Sequence, residues 1–281
     1  MTEQHNVALP SGSYQYDIAA SIVVFHTDAG ELSDLIMSLQ RSSLSVRVTV
    51  VDNSSTDALR TVANQTGALY LYPGANGGFG KGHNLAMRET LHLARYHAVV
   101  NPDIILSHDT LERLYVFMEE NPGVGHVMPA ILNPDGSEQR LTKRLPKPSD
   151  LFLRRFLGEW GKRLAPAHWA QYELRDRNLA SPSSVPCLSG CFMFLRSSLL
   201  EQVGLFDERY FMYMEDVDLC RRIGSKSKTM FFPGTTVIHG YSKGSYKNYR
   251  LTFTHLLSAI RYFKKWGWFF DRERDHLNRL L

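Results

Sequence analysis

The chain has 281 residues, 43% of them hydrophobic and 21% charged, with 32 Lys and Arg against 28 Asp and Glu for a net charge of +4. Such a content buries a large core, as one big domain or two joined halves, and excludes a disordered protein. There is no long Lys/Arg block with interleaved aromatics, so the weak positive balance points to anionic ligands or membrane surfaces and away from nucleic acid.

Residues 1–17 read as a loose tail without a basic n-region or a signal-type apolar core. No apolar run reaches about 18 residues, so a spanning helix is not expected. Ala19 to Phe25 is a short apolar run entering a polar loop at His26-Thr27-Asp28, the pattern of a buried strand. A helix is predicted from Glu31 to about Arg41, where Leu32, Leu35, Ile36 and Leu39 keep helical spacing. Val46 to Val51 is a second strand, and Asp52-Asn53-Ser54-Ser55-Thr56-Asp57 behind it supplies loop and helix-cap chemistry. A third strand is expected at Ala68 to Tyr72 and a helix at Leu85 to Ala94, after which Ala98 to Val100 leads into Asn101-Pro102-Asp103. Strand and helix thus alternate four times in the first hundred residues, which predicts an α/β fold with a mostly parallel sheet flanked by helices. Ligands of such sheets sit beyond the carboxyl ends of the strands, where Asp52 and Asp103 fall.

From about Leu132 the chain becomes loop-rich and basic, through Asn133-Pro134-Asp135-Gly136 and Lys143-Arg144-Leu145-Pro146-Lys147-Pro148, as a cover or acceptor-side element would be. Cys191 to Leu195, Thr229 to Phe232 and Thr236 to Ile238 read as further strands, the last ending at His239-Gly240. Cys187, Cys191 and Cys220 are odd in number and form no C-x-x-C pair, so neither a disulfide framework nor a zinc knuckle is indicated, and a reducing cytoplasm fits. Near the end, Tyr249, Phe253, Leu256, Leu257, Ile260 and Phe263 share one helical face. Arg250, Arg261, Lys264 and Lys265 lie opposite, with Trp266, Trp268, Phe269 and Phe270 at or beyond the end. That helix either packs on its own domain or a twin subunit, or lies on an anionic membrane surface.

Between Phe211 and Arg222, Glu215, Asp216 and Asp218 stand among aromatic and sulfur-bearing side chains. Charge beside apolar bulk is disfavoured unless paired, and the same surroundings turn a carboxylate into a usable base. Phe211, Tyr213 and Met214 suggest a strand end opening into a cleft. The alternative is a helix start, with Asp218 and Arg222 as an i,i+4 pair. Asp52, Asp103 and His239 also have plain readings as a cap, a turn residue and a structural imidazole. A hard divalent cation bridging a diphosphate needs few protein ligands, and Asp103 with His239 would suffice for Mn²⁺ or Mg²⁺. The run Pro73-Gly-Ala-Asn-Gly-Gly-Phe-Gly-Lys-Gly-His-Asn84 matches neither G-x-G-x-x-G nor a P-loop. It could bring backbone close to a ligand and open a helix whose N-terminus favours an anion, with Lys81 nearby, or be a flexible turn.

Ser21-Ile-Val-Val-Phe-His26, Val50-Val-Asp-Asn-Ser-Ser55, Asn76 to Asn84, Asn101-Pro-Asp103, Phe211 to Arg222 and His239-Gly240 together resemble the inverting GT-A glycosyltransferases of family 2, in their rhamnosyltransferase-like branch. The resemblance implies a GT-A fold over residues 18–245, with a nucleotide-sugar half at about 18–130, an acceptor half at about 131–245 and a C-terminal amphipathic helical extension over 246–281. It implies that Asp52 reads the nucleobase, that His26, Gly78, Lys81, Asn84 and Asn101 belong to the donor site, that Asp103 and His239 hold the metal, and that Asp216 is the base. Glu215 is the other carboxylate able to act as base. The chain departs from the family's Asp-x-Asp pattern at Asn101, which removes one charge from the metal site.

The expected reaction is transfer of L-rhamnose from dTDP-L-rhamnose, with inversion, to a glycan or lipid-linked acceptor in cell-surface polysaccharide or lipopolysaccharide biosynthesis. UDP-sugar donors remain the alternative. The expected setting is the cytoplasm, peripherally on the inner membrane through the C-terminal helix, with a homodimer as the other use of that helix. A nucleotidyltransferase is disfavoured because Phe25-His26-Thr27-Asp28-Ala29-Gly30 stands where its glycine- and arginine-rich loop belongs. A non-catalytic carbohydrate-binding protein is disfavoured because Asp52, Asp103, Asp216 and His239 are all present.

Overall fold

The computed structural model describes residues 14–152, 160, 163, 165–240 and 249–280, so the expected tail lies outside it up to residue 13. The first half runs β1 (Tyr16–Val24), α1 (Ala29–Gln40), β2 (Val46–Asp52), α2 (Arg60–Gln65), β3 (Leu69–Leu71), α3 (Phe79–Thr90) and β4 (Ala94–Val100). β1 pairs in parallel with β2 and β4, and β2 with β3, as the alternation predicts. α1 begins where Asp28 accepts hydrogen bonds from the Gly30 and Glu31 amides, and it buries Leu32, Leu35, Ile36 and Leu39 against the sheet. Each such side chain contributes about 1.5–3 kcal/mol of apolar burial.

α3 starts six residues earlier than its apolar spacing suggests, inside the glycine run. Close packing is the reason. A methyl group on Gly82 would lie 2.8 Å from the Val23 side chain, and one on Gly80 would lie 2.9 Å from Phe206 Cβ. The helix therefore accepts glycines, each costing about 1 kcal/mol against alanine, in exchange for an approach that no larger residue allows.

The second half adds β5 (Ile104–Leu106), α4 (Thr110–Glu120), β6 (Val124–Leu132), α5 (Pro148–Phe152), α6 (Pro166–Tyr172), β7 (Ser183–Ser184), β8 (Phe192–Arg196), α7 (Ser197–Val203), α8 (Glu215–Gly224), β9 (Lys228–His239), α9 (Tyr249–Trp266) and α10 (Arg272–Leu277). The sheet order is β3-β2-β1-β4-β8-β6-β9-β5, with β7 on β9. β8 is antiparallel to β4 and β6, and β5 and β7 are antiparallel to β9, so the sheet is parallel on its N-terminal side and mixed beyond β4. The two short strands expected before His239 are one strand. Its register against β6 slips between Phe232 and Thr236, around Pro233 and Gly234, and a proline cannot donate to the ladder.

The stretch before Asp216 is not a strand end. Tyr213 and Met214 both adopt left-handed backbone, with φ of 69° and 68°, and α8 begins at Glu215. Left-handed backbone costs a non-glycine residue about 1–2 kcal/mol, offset here because Met214 is buried with Leu151, Tyr210, Ala259, Tyr262 and Phe263. The expected i,i+4 pair forms: Arg222 Nε lies 2.8 Å from Asp218 Oδ2.

α9 packs on this cluster through Ser258, Ala259, Tyr262 and Phe263. The apolar face expected from sequence packs only in part: its Phe263 is buried, whereas Phe253 and Leu256 remain 60% and 46% exposed. α8 is tied to the C-terminal segment near both of its ends. Arg221 donates two hydrogen bonds to Asp271 at 2.6 and 2.5 Å, and Asp218 accepts from Trp266 Nε1 at 2.7 Å. No helix among the described residues is long and apolar enough to cross a membrane.

Candidate active site

A cavity of about 480 Å³ opens where β4 and β9 end and α8 begins, lined by Asn101, Asp103, Gln139, Asp216 and His239 among others. Asp103 lies in the turn between β4 and β5, and the pairing of β5 with β9 sets Ile104 opposite His239. The turn is closed by the Gly240 amide, which donates to Asp103 O at 3.0 Å. Two residues 136 positions apart in sequence are thus held side by side, with His239 Nε2 3.4 Å from Asp103 Oδ1. Asn101 Nδ2 lies 3.4 Å from the same ring nitrogen.

The other face of the imidazole is held by Gln139. Gln139 Oε1 lies 3.0 Å from His239 Nδ1, and Gln139 Nε2 donates to the His239 carbonyl at 2.8 Å. With Nδ1–H donating to the amide oxygen, Nε2 presents its lone pair towards Asp103. Gln139 arrives there because Asn133-Pro134-Asp135-Gly136 folds into a tight turn, Gly136 at φ 82°, that brings Gln139 N back to Ile131 O at 2.8 Å. The sequence reading missed this residue. The Asn-Pro-Asp-Gly turn was its only signal, because a hairpin there returns the chain along β6 towards the end of β9.

The Asp103–His239 pair suits a hard divalent cation. Their 3.4 Å separation lies within the span of two ligand bonds of about 2.1 Å. Among the described residues no group of three or more His, Cys, Asp or Glu forms a metal cluster, so an ion here would draw the rest of its shell from substrate oxygens and water. The three cysteines are buried free thiols.

Asp216 occupies the first turn of α8. Its Oδ2 accepts from the Gly190 amide at 3.0 Å and its Oδ1 from the Val217 amide at 2.8 Å. A methyl group on Gly190 would lie 3.1 Å from Asp216 Cβ, so that glycine sets how closely the chain entering β8 approaches the acid. Glu215 differs. It is 5% exposed, its Oε2 makes no hydrogen bond, and burial followed by repulsion from Asp216 pushes its carboxyl up to about 8. Glu215 is thereby kept protonated at neutral pH.

The remaining expected residues do not line this cavity. Asp52 ends β2, fully buried, with Oδ1 accepting from Ser54 N at 2.9 Å and Oδ2 from the Tyr70 hydroxyl at 2.7 Å. His26 sits beside it in left-handed backbone, its amide on Ser54 Oγ, and Asn53 Nδ2 donates to Gly78 O at 3.1 Å. These contacts join Asp52, His26 and Gly78 into one corner at the ends of β1 and β2. Lys81 is exposed, its side chain folded over Gly77.

Two expectations need correction. Asn84 is buried, with its amide donating to Phe206 O and Glu208 and accepting from Phe206 N, so it braces the 206–208 loop from inside. Gly78 does not open an anion cradle: the Phe79 amide at the start of α3 donates to Phe211 O at 3.0 Å, and a methyl group on Gly78 would lie 2.1 Å from that oxygen. The glycine lets α3 seat against the turn that leads to Asp216.

The sheet, parallel on one side and mixed on the other with acids gathered at its strand ends, is of the GT-A type that solved glycosyltransferase structures share. The chain belongs to glycosyl transferase family 2, whose model matches residues 21–204. It is 30% identical over 236 residues to an N-acetylglucosaminyl-diphospho-decaprenol L-rhamnosyltransferase of Mycobacterium tuberculosis, covering 79% of this chain and 76% of the relative. Rhamnosyltransferase WbbL of Escherichia coli (strain K12) is 24% identical over 268 residues, covering 92% and 98%. Among solved structures, the mannosyltransferase PcManGT of Pyrobaculum calidifontis in complex with GDP-Man and Mn²⁺ superposes with a TM-score of 0.57 at 16% identity, over 91% of this chain and 67% of that one. GalNAc-T7 with UDP, GalNAc and Mn²⁺ gives 0.59 at 13% identity, over 94% and 50%.

Proposed function

We propose that the protein transfers a sugar, L-rhamnose from dTDP-L-rhamnose, to a hydroxyl of a lipid-linked or glycan acceptor in cell-envelope polysaccharide synthesis. The observation that carries this reading is the convergence of Asp216, Asp103 and His239 on one cavity from three separate elements. Displacing a nucleoside diphosphate from an anomeric carbon requires a base for the attacking hydroxyl and a counter-charge for the departing phosphates. Asp216 takes the hydroxyl proton, held in place by the Gly190 amide while its neighbour Glu215 stays neutral. Asp103 and His239 hold the divalent cation, Mn²⁺ or Mg²⁺, which when bound supplies charge neutralisation at the diphosphate. Asp52 and His26 form the corner that receives the base and ribose, and Lys81 adds positive charge near it. Glu215, as a buried neutral acid, is no nucleophile, so a single displacement with inversion fits better than a covalent intermediate.

The names of the two rhamnosyltransferases favour a rhamnose donor, and the polyprenyl diphosphate acceptor in the name of the mycobacterial relative favours a lipid-linked one. On this reading the enzyme works at the cytoplasmic face of the membrane. The test is to incubate the protein with Mn²⁺ and a panel of nucleotide sugars and to measure which nucleoside diphosphate is released. Release of dTDP from dTDP-L-rhamnose alone is expected. Preferential release of UDP would move the donor to the UDP-sugars, and release from none would remove the transferase reading.

A further inference from the structure

We propose that the outward face of α9, continued by Trp268, Phe269 and Phe270, is a docking surface for an anionic lipid bilayer. The proposal rests on the cavity being the transfer site and adds where the acceptor comes from. α9 has two apolar faces. One is spent inside the molecule, with Ser258, Ala259, Tyr262 and Phe263 buried. The other carries Phe253 and Leu256, 60% and 46% exposed, with the half-buried Leu257 and Ile260 between them. Just past the helix Phe269 and Phe270 are 78% and 98% exposed, while the Trp268 ring lies 5.2 Å from Phe263 and so is fixed at the edge of the fold. Single exposed apolar residues need no explanation, but this many within one short segment mark a contact surface.

Charge says what covers it. From residue 249 to the end there are seven Lys and Arg against three Asp and Glu, an excess equal to that of the whole chain, 32 against 28. Arg274 is spent inside the fold and Lys265 on Asp207 and Asp218, while Arg250, Arg261 and Lys264 stand exposed along α9 and border this face with positive charge. Apolar side chains bordered by cations, with a tryptophan at the margin, match the interface of an anionic bilayer, where each Lys or Arg near the surface contributes about 1 kcal/mol. At 18 residues α9 is long enough to reach across, but it is too polar to span, so it lies in the plane of the surface.

The same helix reaches the active site. Leu251 and His255 line the cavity that holds Asp216, and at 100° per residue they point away from Phe253 and Leu256. The cavity thus stands about one helix diameter, roughly 10–12 Å, from the docked surface. That offset suits an acceptor whose sugar is separated from its lipid by a polar, phosphate-sized spacer.

The test is co-sedimentation of the full chain with vesicles of equal parts phosphatidylglycerol and phosphatidylcholine, against vesicles of phosphatidylcholine alone. Wild type is expected to bind the anionic vesicles, and Phe253→Ser with Leu256→Ser, or Phe269→Ser with Phe270→Ser, to lower the partition at least tenfold. Release of nucleoside diphosphate with a water-soluble acceptor should stay at the wild-type level, which also shows that the variants fold. Vesicle binding that is absent in wild type, or equal in wild type and both variants, overturns the proposal. So does a dimer in light scattering that the substitutions split while vesicle binding is unaltered, since a second copy would then own the face. Vesicle binding without release from any nucleotide sugar would instead defeat the transferase reading and leave the surface standing.

Discussion

Gln139 and His239 exchange two hydrogen bonds, side chain to ring at 3.0 Å and amide to carbonyl at 2.8 Å, so one glutamine fixes both the rotation and the tautomer of the imidazole beside Asp103. Partners that orient a metal-binding histidine typically change metal affinity 10- to 100-fold when removed. Gln139→Leu is expected to weaken Mn²⁺ binding by about that factor, read by calorimetry or electron paramagnetic resonance, with the circular dichroism spectrum unchanged. Gln139→Glu, which still accepts from Nδ1–H but cannot donate to the His239 carbonyl, should fall between wild type and the leucine variant. Equal Mn²⁺ affinity in wild type and the leucine variant would show that the ring is oriented by other contacts.

Asp216→Asn keeps an oxygen for the Gly190 amide but cannot take a proton. Transfer should fall by about 10²–10⁴ while donor affinity survives, because a base contributes to the transition state more than to ground-state binding. Unchanged turnover would remove Asp216 from the reaction.

Glu215→Gln should leave transfer within a few fold and alter stability in a pH-dependent way. The folded chain holds the Glu215 proton up to a pH of about 8, whereas the unfolded chain gives it up near 4.5. The acid therefore favours folding fully below pH 4.5 and loses that contribution as the pH rises through 8. Melting of the variant should exceed wild type at pH 9 and match it at pH 4. A constant difference across that range would contradict the buried neutral acid.

Three histidines make the fold acid-sensitive. Ser21 Oγ lies 2.7 Å from His83 Nδ1 and 2.9 Å from His97 Nε2, and burial pushes His97 and His126 down to about 3. His83 is lowered well below its usual range, first by burial and then by His97. Unfolded histidines take protons near pH 6.5, so stability is full above that value and falls below it by about 1.4 kcal/mol per pH unit for each histidine. Urea midpoints at pH 7.5 and 5 should differ accordingly, and His126→Asn should flatten the slope. An identical slope in that variant would place the sensitivity elsewhere.

Asp271→Ala leaves the Arg221 guanidinium, 1% exposed, without its bidentate partner. Breaking a buried pair from one side costs about 3–5 kcal/mol, while replacing both partners with apolar residues is often neutral. Chemical denaturation should show the large loss for Asp271→Ala and a recovery for Arg221→Met with Asp271→Leu. A loss under 1 kcal/mol would mean that Glu273, 2.9 Å from Arg221, replaces Asp271.

The N-terminal half was legible because its elements follow a single period each: β1 and β2 are continuous apolar runs, and α1 repeats leucine and isoleucine every three to four residues. β6 was missed because Gly125, His126 and Pro129 interrupt its pattern, yet Gly125 lies where a methyl group would strike Leu199 at 2.1 Å and His126 Nδ1 lies 3.6 Å from Cys220 Sγ. Asp103 and His239 could be proposed as a pair since both follow apparent strands, but only the β5–β9 pairing sets them side by side. The glycines of α3 misled for a physical reason, since close approach to a ligand and close approach to another segment demand the same missing Cβ. Which face of α9 turns inward was likewise unreadable, because both faces are apolar and Ser258 and Ala259 choose the inner one by being small enough to pack.

Asp271 governs more than the helix it caps. Because the acid at the first turn of α8 and the arginine near its end belong to one rigid rod, the Asp216 carboxylate is aimed partly by a residue 50 positions downstream of Arg221. Attempts to retarget the enzyme by grafting the C-terminal segment of a relative would have to transplant Arg221 with Asp271, and Asp218 with Trp266 and Lys265, as a matched set. A donor segment lacking the aspartate would tilt the rod, and with it the direction from which an incoming hydroxyl is met.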